Sequence, residues 1–148
     1  MKHKITVSKS WQAQDLGVYL LVSGSSFTKK SYLKISVDQA HRGICFVDKK
    51  PAGTLLNRPV VNLLRKHVPY FRVLSILSNQ DSKDLWILCQ RKSNSQIDWY
   101  LKLSATRPPE LSLISNDKKS FFRLSSKGTF THLKDFKEPL PQVAQERF

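Results

Sequence analysis

The chain has 148 residues, of which 40% are hydrophobic and 24% are charged. This length predicts one globular domain whose core needs neither a metal ion nor disulfide bonds. No apolar run approaches the roughly 20 residues that span a bilayer, and residues 1–16 contain no apolar segment of the signal-peptide type. We therefore expect a cytoplasmic protein that does not associate with membranes.

Net charge is the clearest functional signal. Lys and Arg number 25 against 11 Asp and Glu, which gives a net charge of +14. The excess is uneven, with 13 basic and 3 acidic residues in positions 1–74 but 12 and 8 in positions 75–148. Such a field attracts polyanions, so RNA or DNA is the leading predicted partner. A solvated cationic surface without a partner is the alternative.

The first part of the chain predicts strands. Residues 17–23 and 32–37 predict two strands on either side of a turn-like segment around Gly24. In the second, apolar and polar side chains alternate, which is typical of half-buried strands. Residues 43–48 predict a third, short strand, and residues 4–8 predict another before them.

One helix is predicted, at residues 59–68. Pro59 suits the first position of a helix, where its missing N–H is not needed. At helical spacing Leu64 and its apolar neighbours form one face, with Arg65 and Lys66 opposite. His67 falls within the apolar face and is interpreted as an interior histidine.

Further strands are predicted at residues 71–78, 84–91, 97–103, 110–115 and 120–125, joined by short polar connections. Strands and helices do not alternate, which argues against a parallel βαβ fold. The predicted class is α+β, mainly an antiparallel β-sandwich or barrel with one principal helix. The predicted domain covers residues 1–125, and residues 126–148 are predicted to form a weakly packed C-terminal tail.

No catalytic or metal-binding motif is present. The sequence lacks the GxSxG, HExxH, P-loop and dinucleotide-binding patterns, and its four histidines lack metal-ligand spacing. Cys45 and Cys89 are predicted to be buried thiols, with a disulfide as the alternative. We therefore expect a protein that is not an enzyme and binds no cofactor or metal.

The basic positions around the predicted helix suggest a phosphate-binding patch. Arg65 and Lys66 project from its polar face, with Arg58 before it and Arg72 after it. Aromatic residues that interleave with basic ones offer surfaces on which bases stack, although a place in the core is the favoured interpretation for them. They are Tyr70, Phe71, Tyr100 and Phe121.

Three segments together resemble the N-terminal domain of the NFACT family, ribosome-quality-control factors once labelled fibronectin-binding protein A. Residues 35–44 (ISVDQAHRGI) are similar to the family's I-S-A-H-P-S-Y-x-R-I pattern. Residues 59–68 (PVVNLLRKHV) and 71–76 (FRVLSI) are similar to its P-x-x-F-C-M-L-L-R-K-H-L block and following G-x-R-I-x-x-I strand. Weaker similarity continues through Asp84 to Leu103.

The resemblance implies a fold related to the N-terminal domain of formamidopyrimidine-type DNA glycosylases. It also implies binding to RNA, either tRNA or the large ribosomal subunit. Together with the basic positions, it predicts a nucleic-acid contact set of Arg42, Arg58, Arg65, Lys66, Arg72, Asp84, Arg91 and Lys92.

The sequence departs from the family in ways that keep other functions open. Leu85 stands where the family has the arginine of an Asp-Arg pair linked to tRNA binding, and the family's first helix and coiled coil are not seen. The leading hypothesis is a non-enzymatic RNA-binding module. The alternatives are a protein-interaction module that has left the RNA pathway and, last, a glycosylase-like DNA-processing protein. Lys2 follows the initiator methionine, where a glycosylase has its nucleophilic proline.

Overall fold

The computed structural model describes residues 5–12, 17–24, 31–37, 42–49, 59–67, 71–91, 97–125 and 130–141. These segments contain ten strands and one helix. In chain order they are β1 (Ile5–Gln12), β2 (Val18–Ser23), β3 (Ser31–Ser36), β4 (Gly43–Val47), α1 (Pro59–His67), β5 (Phe71–Ser78), β6 (Leu85–Arg91), β7 (Trp99–Leu103), β8 (Glu110–Ser115), β9 (Ser120–Ser125) and β10 (Phe130–Lys134).

The strands form a single sheet in the order β10-β9-β8-β7-β6-β5-β1-β2-β3-β4, with antiparallel pairing of neighbours. Among the described strands, β4 and β10 are the two edges, so the sheet is open and the predicted barrel is wrong. The nine predicted strands are all present. Within the described part of the chain, the one pairing between strands distant in sequence is that of β1 with β5, where Ile5 lies opposite Val73 and Thr6 opposite Arg72.

The helix content of the described residues is small. Helix α1 has nine residues and begins at Pro59, as predicted, while Val68 lies outside the described residues. The class is therefore mostly β, and the α+β assignment gave too much weight to one short helix.

One face of the sheet, here called the inner face, carries a core that both ends of the sheet share. Leu20 of β2 and Leu101 of β7 belong to the same buried cluster. The cluster runs between them through residues of β1, β5 and β6, and it includes Leu64 of α1. The sheet also bends, because Arg42 Nη1, just before β4, lies 3.5 Å from the carbonyl oxygen of Ser104, just after β7. Those two strands are six positions apart in the sheet, which is about 29 Å if the sheet is flat.

The opposite, outer face is covered over strands β6 to β9 by the end of the described chain. Phe136 is 8% exposed and packs edge-on against Phe121, with ring centroids 5.2 Å apart. The Phe136 N–H donates to the carbonyl oxygen of Lys118 at 2.7 Å. The prediction of a weakly packed tail is thus wrong for residues 130–141, because β10 extends the sheet and the segment after it buries an aromatic side chain.

Candidate binding surface

Helix α1 places two cations side by side on its exposed face. Leu64 is 2% exposed and points into the inner core, whereas Asn62, Arg65 and Lys66 are exposed. The last turn contains Arg65, Lys66 and His67, where positive charge interacts favourably with the helix dipole. The prediction that Leu64 lies on the buried face of the helix and Arg65 and Lys66 on its exposed face is confirmed.

Arg65 also holds the helix against the sheet. Its Nη2 donates to the carbonyl oxygen of Ser10 in β1 at 3.1 Å, and Ser10 itself is buried. The bond joins residues 55 positions apart in sequence, so it fixes where α1 lies on the inner face. Arg65 therefore has a structural contact. Among the described residues, no hydrogen bond or ion pair assigns such a contact to Lys66, the other cation on this face.

Aromatic rings lie next to the basic end of α1. The ring of His67 is 5.0 Å from that of Trp99 and 5.7 Å from that of Phe122, measured between centroids. Phe122 stacks in turn on His132, at 4.4 Å and an interplanar angle of 17°. We call His67, Trp99, Phe122 and His132 the ring cluster. The first three are half-buried and His132 is exposed, so the cluster begins at His67, next in sequence to Lys66, and reaches solvent at His132.

Sequence reasoning missed most of the ring cluster. His67 was expected in the interior, and the structure places it half-buried on other rings. The alternation of residues 97–103 places Trp99 on one face of its strand without showing which rings it meets. The contact of Phe122 with His132 depends on the pairing of β9 with β10, and β10 is not predicted from the sequence. The alternation of residues 120–125 was the one signal available.

Arg72 is not part of the α1 surface. Its neighbours Phe71 and Val73 point into the inner core, so Arg72 lies on the outer face, opposite to the side on which α1 packs. Arg42 lies just before β4, half-buried, with Nη1 3.5 Å from the carbonyl oxygen of Ser104. The structure thus brings together Arg65 and Lys66 but not Arg42 or Arg72.

Asp84 has structural partners. Its Oδ1 accepts a hydrogen bond from the Ala105 N–H at 2.8 Å, and its Oδ2 lies 3.6 Å from Lys102 Nζ. Only 15% of its side chain is exposed. These contacts connect the start of β6 with the end of β7, which accounts for an acidic residue at this position without a ligand.

The remaining predicted contacts are less informative. Arg91 is the last residue of β6 and pairs with Phe71, whereas Arg58 and Lys92 lie outside the described residues. Of the four aromatic residues considered for stacking, Phe71, Tyr100 and Phe121 are at most 8% exposed and belong to the core, as the favoured interpretation predicted. Tyr70 lies outside the described residues.

The two cysteines have opposite environments. Cys89 is fully buried in the inner core, and desolvation raises the pKa of its thiol well above the usual range. Cys45 is exposed on β4, so the prediction of a buried thiol there is wrong. Both are free thiols, and the alternative of a disulfide is excluded.

Within the described segments, no three His, Cys, Asp or Glu side chains are grouped so that they could hold a metal ion. None of the helical segments described is long and apolar enough to cross a membrane.

Comparison with known proteins identifies the fold. No protein-family model matches the chain, and no curated protein matches it. Among solved structures, the N-terminal part of the fibronectin/fibrinogen-binding protein of Streptococcus suis has a TM-score of 0.69 and 12% identity, over 95% of this chain and 55% of that one. The N-terminal domain of the fibronectin-binding protein PavA of Streptococcus pneumoniae has a TM-score of 0.64 and 12% identity, over 94% and 49%.

A third structure, the fibrinogen-binding protein of Staphylococcus aureus, has a TM-score of 0.57 and 17% identity, over 76% of this chain and 40% of that one. The chain thus spans about half the length of these solved chains. At such identities the likeness concerns the fold alone, which is that of the N-terminal domains of fibronectin-binding proteins. The predicted resemblance is confirmed to that extent, and membership of the NFACT family stays a prediction.

Proposed function

We propose that this chain is a non-catalytic binding module whose partner is a protein with an acidic surface. The observation that carries the proposal is the shared fold: the three solved structures named above belong to proteins described as binding fibronectin or fibrinogen. The net charge of +14 supports an acidic partner, because complementary charge accelerates association and selects against basic competitors.

The exposed face of α1 is the proposed contact. Lys66 is exposed there, the hydrogen bond of Arg65 to β1 holds the helix in place, and the ring cluster beside them supplies apolar area. Interfaces of this kind combine an aromatic centre with a charged rim. The side chains therefore offer both parts of a protein-binding surface within one short helix and the strands beneath it.

The direct test is capture of partners from a lysate treated with nuclease, followed by binding measurements with purified fibronectin and fibrinogen as probes. We expect protein partners to survive nuclease, and binding to weaken as salt is raised. The matched variants are Lys66→Ala and Lys134→Ala, each of which removes one exposed lysine. If only Lys66→Ala weakens binding, the α1 face is the contact. Equal binding by both variants and the parent would contradict that assignment.

RNA is the second candidate partner, and the ring cluster favours it. Cations next to partly exposed rings match surfaces on which phosphates are neutralised while bases stack. The family resemblance of the LLRKH segment implies the same class of partner. The cytoplasmic location and a role on the ribosome belong to this second proposal.

Total tRNA and purified ribosomes are the probes for the second candidate. Binding to RNA must fall steeply with salt, by roughly 0.7 to 0.9 units of log K per neutralised phosphate per decade of salt. Lys66→Ala should reduce that slope by about one contact. Lack of binding at low salt would exclude RNA, and partners that disappear with nuclease would exclude direct protein binding.

A further inference from the structure

Strand β4, which is an edge of the sheet formed by the described strands, has the features of a surface that pairs with another strand. Residues Gly43–Val47 carry no charged side chain and no proline, although Cys45 is exposed and Phe46 is 47% exposed. Edge strands are usually protected by charges, prolines or covering segments, because their free N–H and C=O groups recruit other strands. The other edge, β10, follows this rule, since exposed His132 and Lys134 lie on it.

We propose that β4 pairs with β4 of a second copy of this chain, forming an antiparallel and two-fold symmetric dimer that continues the sheet across both molecules. An interface of this type is self-complementary, so each contact occurs twice.

Charge complementarity selects the register. When the two strands are centred on Cys45, Arg42 of one copy lies opposite Asp48 of the other, and by symmetry this ion pair forms twice. Between the pairs, Ile44 of one copy meets Phe46 of the other. Moving the centre by one residue in either direction places Arg42 opposite Phe46 or Asp48 opposite Ile44, which sets a charge against an apolar side chain.

The faces of β4 agree with this register. Phe46 lies opposite Leu33 and Ile44 opposite Ile35, and both partners belong to the inner core. The alternation along the strand puts Arg42 and Asp48 on the same side as Ile44 and Phe46. A stripe of four side chains from each copy therefore interleaves along the inner face, and the apolar exposure of Phe46 is removed.

We expect a dimer that dissociates on dilution, because a single strand edge buries less than the about 800 Å² per partner of a stable complex. The overall charge opposes association at low ionic strength. At about 0.15 M salt the Debye length is about 8 Å, so the distant charges of the two copies are largely screened and the local contacts decide. The measurement therefore belongs at that salt concentration.

Cys45 provides a specific chemical test. The chain has two cysteines, and Cys89 is fully buried, so a short bismaleimide reacts with Cys45 alone. In the proposed register the two copies place their Cys45 side chains directly opposite each other, with Cβ atoms about 4.5–5.5 Å apart. We expect a covalent dimer on a denaturing gel and none from Cys45→Ser. Absence of the covalent dimer from the parent protein would overturn the register.

Sedimentation velocity at submillimolar protein tests the dimer itself. Asp48→Arg replaces two attractions by two repulsions and should weaken the dimer about tenfold or more, whereas the double variant Arg42→Asp with Asp48→Arg should restore it. Asp81→Arg, in an exposed turn, is the matched control and should dimerise like the parent. Circular dichroism confirms folding of each variant. A parent protein that is monomeric at this concentration, or a double variant that stays as weak as Asp48→Arg, would overturn the proposal.

Discussion

Glu138 Oε2 lies 2.6 Å from Lys102 Nζ, and this ion pair joins the end of the described chain to the middle of the sheet. The same ammonium group lies 3.6 Å from Asp84 Oδ2 and over the rings of Trp86 and Phe136, 5.5 and 5.7 Å from their centroids. Lys102 is therefore a meeting point of two acidic side chains and two aromatic ones on the outer face.

The two carboxylates around Lys102 should contribute unequally to stability. Glu138 is 61% exposed, so its ion pair is screened by water, and Glu138→Gln should change the free energy of unfolding by at most about 0.5 kcal/mol. Asp84 is shielded and also accepts a hydrogen bond from Ala105 N–H, so Asp84→Ala should cost about 1–3 kcal/mol. Urea unfolding of both variants measures the difference. Equal effects would contradict the structural role given to Asp84.

The segment that follows β10 should contribute to the core. Phe136 fills the space against Phe121 on the outer face, so Phe136→Ala should lower the free energy of unfolding by about 3 kcal/mol. Leu74→Ala, at a position 39% exposed, is the control and should cost much less. If this segment is only loosely attached, the Phe136→Ala variant will be as stable as the parent. That result would show that Phe136 does not stay packed against Phe121 in solution.

Helix α1 should separate stability from binding. Leu64 is buried in the inner core, and Leu64→Ala should cost about 2–5 kcal/mol. Lys66→Ala should stay within about 0.5 kcal/mol of the parent, since an exposed side chain leaves no cavity. Arg65→Ala should lie between them, because it removes the donor to the buried Ser10 carbonyl. Thermal unfolding followed by circular dichroism measures all three, and a large loss in Lys66→Ala would mean that Lys66 is structural.

Cys89 should make stability fall at alkaline pH. Burial raises the pKa of its thiol in the folded state, whereas the same thiol in the unfolded chain ionises near about 8.5. Below that pH both states hold the proton and stability is complete. Above it only the unfolded state loses the proton, so the free energy of unfolding falls by up to about 1.4 kcal/mol per pH unit.

Comparison with Cys89→Ala isolates this contribution, because the other groups, including Tyr100 with its raised pKa, titrate alike in both proteins. The variant should be less stable at neutral pH and less sensitive between pH 8 and 9.5. An unchanged pH dependence would show that Cys89 is accessible to water. Thiol labelling gives an independent check, with one reactive cysteine in the native protein and two after denaturation.

Local pattern determined most of the elements. The alternation of residues 97–103 predicts that Ile97, Trp99, Leu101 and Leu103 share a face. The last three contact the inner core, whereas Ile97, which precedes β7, packs against the outer-face cluster instead. The helix followed from Pro59 and the apolar spacing that includes Leu64. These predictions succeed because the geometry of a strand or helix sets the spacing in sequence of the side chains on one face. The apolar residues of a buried face therefore recur at that spacing, which can be seen in the sequence. The net charge is likewise a property of composition.

Tertiary contacts decided what pattern does not contain. The alternation of β7 sets Tyr100 on the same face as Lys102, and a core position is the favoured interpretation for its ring. That the ring is 8% exposed there depends on Phe136 and its neighbours, which cover the outer face. The ring cluster forms because the pairing of β10 places His132 against Phe122, and α1 places His67 against the same Phe122 ring. Periodicity shows which residues share a face, but not which segment from elsewhere in the chain covers it. That depends on contacts such as Arg65 with Ser10 and β1 with β5, whose partners are separated by more than fifty residues.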